Sequence, residues 1–92
     1  MATAIVLIDA QVDQIPEVAR HVASITAVDQ VFSVTGDVDL IAIVRTAHHE
    51  ELADIIPGQI AKAPGVRAVK TYLAFQEFST ADLDAAFDLG LN

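Results

Sequence analysis

Thr35-Gly36-Asp37-Val38-Asp39 is the stretch whose residue types and spacing best suit binding chemistry. Gly36 permits a tight backbone whose exposed amide N–H groups can meet a carboxylate. Asp37 or Asp39 can accept hydrogen bonds from an amino group, and positions two apart on an extended chain point to the same side. The plainer reading is a connection between strands in which Asp caps its own backbone. His48-His49-Glu50-Glu51 carries metal-ligating residue types, but an i, i+3 pair supplies only two ligands and the His-Glu-x-x-His pattern is absent. A solvated first helical turn, where Glu complements the dipole, accounts for these residues. Tyr72 is either an interface residue or part of a pocket wall. No serine stands in a Gly-x-Ser-x-Gly elbow. Four glycines make no phosphate loop, and the absence of cysteine removes thiolate ligands, Cys nucleophiles and disulfides. Nothing here calls for a catalytic residue, a cofactor or a resident metal.

These residues need elements to position them. Ala4–Ala10 (AIVLIDA) is a short apolar run, the pattern of a strand buried on both faces. Asp13 as N-cap and Pro16 in the first turn predict a helix over Asp13–Ile25, with Ile15, Val18, Ala19, Val22 and Ile25 at helical spacing. Val28–Thr35 predicts a second strand. Gly36-Asp37 suits positive φ in a tight hairpin, and Asp39–Thr46 is then the third strand. Thr46 is a candidate cap for a second helix carrying Leu52, Ile55, Ile56 and Ile60, kinked or broken at Ile56–Gly58 by Pro57. After Pro64-Gly65, Val66–Phe78 predicts a long last strand, and residues 79–89 a short C-terminal helix capped by Ser79 or Thr80. The order β-α-β-β-α-β, a split β-α-β unit repeated, predicts a ferredoxin-like α+β sandwich: an antiparallel sheet with both helices on one face.

Ninety-two residues make one domain. A 53% hydrophobic content is high for so small a soluble chain, and the excess lies on the strands. In the first strand Ala4/Val6/Ile8 and Ile5/Leu7 are both apolar sets, and in the third Leu40/Ala42/Val44 and Ile41/Ile43 are too. Helices cover one sheet face only, and leaving the other wet forgoes about 25 cal/mol per Å² of apolar surface. A second copy covering the open face is the expected solution, with the C-terminal helix folding back as the alternative. Thirteen acidic against five basic residues give a net charge of −8, and Arg20, Arg45, Lys62, Arg67 and Lys70 are scattered, so direct DNA or RNA binding is not expected. No basic leader precedes the first strand, and its apolar run falls far short of the roughly 20 residues that span a membrane. A soluble, cytoplasmic protein is expected.

Val34-Thr35-Gly36-Asp37-Val38-Asp39-Leu40, then Ala63-Pro64-Gly65-Val66 and Thr71-Tyr72-Leu73-Ala74, set in this order of elements, resemble the effector domain of the Lrp/AsnC (leucine-responsive regulator) family, also called RAM. The resemblance runs from about residue 3 to 78. It implies dimers formed through the sheets and assembled into octameric or decameric rings, with an effector amino acid bound where dimers meet. Carried over to matching positions, the site takes Gly36, Asp37 and Asp39 from the connection, Tyr72, Leu73 and Ala74 from the last strand, His49 from the start of the second helix, and Phe32. Full-length members carry an N-terminal helix-turn-helix, whereas Met1 here leads at once into a strand. The chain is therefore similar to stand-alone members, which sense amino acids or modulate full-length relatives by mixed assembly. Two other readings stand beside this one. One is a small dimeric α/β-barrel enzyme of the same topology, which needs a polar cavity between helices and sheet. The other is a structural assembly partner without a small ligand.

Overall fold

The computed structural model describes residues 1–79. Strands β1 (Ala2–Ala10), β2 (Val28–Ser33), β3 (Leu40–Thr46) and β4 (Val66–Leu73) form one antiparallel sheet in the order β2-β3-β1-β4. Helix α1 (Ile15–Ala23) links β1 to β2, and α2 (Leu52–Ile55) lies between β3 and β4. This is the expected α+β sandwich. The two central strands are the most apolar in the sequence. Their alternation divides the sheet as expected: Ala4, Val6, Ile8, Leu40, Ala42 and Val44 are buried beneath the helices with Val18, Val22, Leu52, Ile55 and Ile60. Ile5, Leu7, Ile41 and Ile43 occupy the opposite face, joined by Tyr72 opposite Ile5 and Phe32 opposite Ile41.

Several boundaries differ from expectation. Asp13 does not cap α1: it lies in a 3-10 turn (Val12–Gln14), and the helix begins at Ile15 with Pro16 in its first turn. Thr46 closes β3 rather than capping a helix. Its hydroxyl donates to the His48 carbonyl (2.8 Å), and the turn His49–Glu51 opens with the Glu51 carboxylate accepting the His48 N–H (3.0 Å). At Pro57-Gly58 the helix continues as a π turn over Ile56–Ile60, closed by the Ala61 N–H on the Ile56 carbonyl (2.8 Å). Proline cannot donate the ordinary helical bond, and the wider turn absorbs that loss.

β2 ends at Ser33, so residues 34–39 form a longer connection than a tight hairpin. Gly36, at φ +135°, supplies the backbone conformation that L side chains rarely adopt. β4 stops at Leu73 rather than Phe78 because its partner runs out: Leu73 pairs with Ala4, the Ala74 N–H bonds the Thr3 carbonyl, and little of β1 remains beyond. The expected helix over 79–89 lies outside the described residues, apart from Ser79.

Candidate functional site

Asp39 is held by the fold itself. Its Oδ2 accepts the Ala10 N–H (2.9 Å), its own N–H donates to the Ile8 carbonyl (3.0 Å), and its carbonyl accepts the Val34 N–H (3.1 Å). The carboxylate thereby satisfies β1 at the point where the β1–β4 register shifts, between Asp9 and Ala10. This bond joins the connection to β1 across 29 residues of sequence and does not cap the connection's own backbone. Asp37 makes no such bond and is exposed at the tip of the connection.

Asp37 and Tyr72 line one cleft of about 390 Å³, together with Leu7, Asp9, Val38, Ala68, Val69 and Lys70. The cleft opens on the sheet face away from the helices, at the end where β1 finishes and the 34–39 connection arrives. Tyr72 is 52% exposed there. Asp39 instead lines an adjoining hollow of about 380 Å³ with Asp9, Val12 and Arg67. His49, Leu73 and Ala74 meet at the other end of the sheet, in a cleft of about 430 Å³ shared with Met1, Ala2 and Phe75. Leu73, opposite Ala4, faces the helix side. The expected site residues therefore fall into two groups at opposite ends of β1, on the order of 20 Å apart at about 3.4 Å per residue. Phe32 lines neither cleft; it sits on the open face opposite Ile41, 47% exposed.

Two residues of the first cleft were not singled out from the sequence. Asp9 is the one charged residue in the run Ala4–Ala10, and Lys70 lies diagonal to it on β4; the only signal was the charge itself. Among the described residues no three His, Asp or Glu side chains converge as a metal site requires. The ion pairs among them both belong to Arg45, with Asp29 (3.3 Å) and Glu77 (3.0 Å). Hydrogen bonds first to Glu77 and then to Asp29 raise the Arg45 guanidinium above its ordinary pKa.

A four-stranded antiparallel sheet with helices on one face defines a small α+β sandwich domain. A sequence model described as the Lrp/AsnC ligand binding domain matches residues 3–83, and the chain belongs to that family. TTHA0845 from Thermus thermophilus is 37% identical, superposes with a TM-score of 0.81, and aligns over 86% of this chain and 99% of its own. Hypothetical protein PHS023 from Pyrococcus horikoshii is 28% identical at a TM-score of 0.77, over 84% of this chain and 93% of its own. A feast or famine regulatory protein from M. tuberculosis, solved with L-methionine, is 25% identical at a TM-score of 0.68 over 87% of this chain; the alignment spans 54% of that longer protein. A search of curated proteins found no match.

Proposed function

We propose that this ligand-binding domain is a regulatory module whose effector is an amino acid, seated against the 34–39 connection and β4. The observation that carries the reading is the cleft at that junction, which Asp37, Lys70 and Tyr72 line together. Its volume of about 390 Å³ suits a small ligand. The relative solved with L-methionine supports the choice of effector class.

The module works as an assembly. Dimers form through the open face, where Ile5, Ile41, Ile43 and Phe32 are the apolar surface to be covered. Dimers then join as an octamer or decamer, so that the Asp37–Tyr72 end of one subunit meets the His49–Leu73–Ala74 end of another. The separation of these groups within one subunit supports a site completed between subunits. The protein acts in the cytoplasm without binding DNA, in keeping with its net charge of −8, and modulates full-length relatives by co-assembly. A non-enzymatic role is supported by the space between helices and sheet, which a barrel enzyme would use and which Val, Ile, Leu and Ala side chains fill.

The test is a thermal-shift panel against the twenty amino acids at millimolar concentration. A ligand at a hundred times its Kd stabilises the folded site by about 2.7 kcal/mol. A selective rise with one or a few amino acids is expected. A flat response overturns the amino-acid assignment.

A further inference from the structure

Asp9 is an odd residue for its place. On the open face β1 presents Thr3, Ile5, Leu7 and Asp9, and the register puts Tyr72 opposite Ile5, Lys70 opposite Leu7 and Ala68 opposite Asp9. Asp9 is half-buried and is the one charged residue of β1. A carboxylate so placed is desolvated at a cost unless a partner compensates it. Lys70 stands on the same face, diagonal to Asp9 across the β1–β4 ladder, a spacing of about 7–8 Å between Cα atoms. The two do not pair with each other: the ion pairs among the described residues are those of Arg45. Both line the cleft that Asp37 and Tyr72 share. An anion and a cation thus line one small cleft without pairing, an arrangement complementary to a ligand that carries both charges on one carbon.

We propose that Asp9 and Lys70 are the zwitterion-reading pair of the effector site. The Lys70 ammonium takes the effector's α-carboxylate, and the Asp9 carboxylate takes its α-ammonium beside Asp37. Tyr72 packs along the remainder of the ligand. Asp39, whose carboxylate is engaged by the Ala10 N–H, has no direct part in this recognition. The assignment rests on the amino-acid reading above and adds which groups enforce the free α-amino and α-carboxyl ends.

The experiment is calorimetric titration of the intact protein and of Asp9→Asn, Lys70→Met and Lys70→Arg. The probes are the amino acid giving the largest thermal shift, its carboxamide and its des-amino acid. Circular dichroism and sedimentation confirm that fold and assembly are retained. The wild type should prefer the amino acid over both analogues by about tenfold or more, as hydrogen bonds to charged groups imply. Lys70→Met should erase the preference over the carboxamide, Lys70→Arg should restore it, and Asp9→Asn should erase the preference over the des-amino acid. If the wild type binds an amino acid and these variants keep its selectivity, the pair is overturned while the effector reading stands. If the variants change only the sedimentation coefficient, Asp9 and Lys70 bridge subunits instead, and the proposal is equally overturned. If no amino acid binds the wild type, both readings fail together.

Discussion

Single residues here divide between holding the fold and lining the clefts. Asp39 has an acceptor on the Ala10 N–H, so Asp39→Ala strands a part-buried donor. A loss of about 1–3 kcal/mol in urea denaturation is expected, while Asp39→Asn, which keeps an acceptor, should lose less. Gly65 is a second such position. At φ +90° it lies in the left-handed region, and a Cβ there would come within 2.5 Å of Gln14 Oε1 and 2.7 Å of Val18 Cγ2. Gly65→Ala should therefore lower the melting temperature by roughly 4–8 °C for each kcal/mol of strain, and a variant melting like wild type would contradict the close approach. At this scale the connection at Gly36-Asp37 was legible, because glycine beside aspartate between two β-rich runs has few uses. The sharing of one cleft by Asp9 and Lys70 was not, since it depends on the β1–β4 register, which no local pattern specifies.

At the level of elements, the apolar runs located all four strands, and Pro57-Gly58 located the irregular turn. Ends were less legible because a strand ends where its partner does. The run Val66–Phe78 has strand composition throughout, yet β1 supplies pairing only as far as Leu73. Beyond it the chain is tied by Glu77 to Arg45 on the open face, with Arg45 also bonding Thr3 Oγ1 (3.3 Å). Exposed ion pairs contribute little to global stability. Arg45→Gln should hardly move the melting temperature, while proteolysis of residues 74–78 should quicken. The raised pKa of Arg45 sets the sign of its pH dependence: the contribution is present below the ordinary arginine value and lost only as pH climbs through the elevated one. Its positive charge is therefore intact throughout the neutral range.

For the whole molecule, the sheet has one face sealed by helices and one face that is apolar and uncovered by any described residue but the 74–79 segment. Both alternating sets of β1 and β3 announced this in the sequence. The proposed dimer through this face predicts that a charge at Ile43, as in Ile43→Asp, gives monomers in sedimentation while leaving helical content intact. An unchanged sedimentation coefficient would remove the open face from the interface. What the sequence could not convey is that the expected ligand residues divide between two ends of one sheet, because linear motifs carry no distance between strand ends.

The most direct test of the account is hydrogen exchange of the intact protein, measured by mass spectrometry with and without an equimolar mixture of the twenty amino acids. The account predicts slowed exchange in peptides covering residues 34–39 and 66–74, with the α1 peptides unaffected. Unchanged exchange in both peptides, or protection confined to the helices, would contradict the assignment of an amino-acid site to the junction of the 34–39 connection with β4.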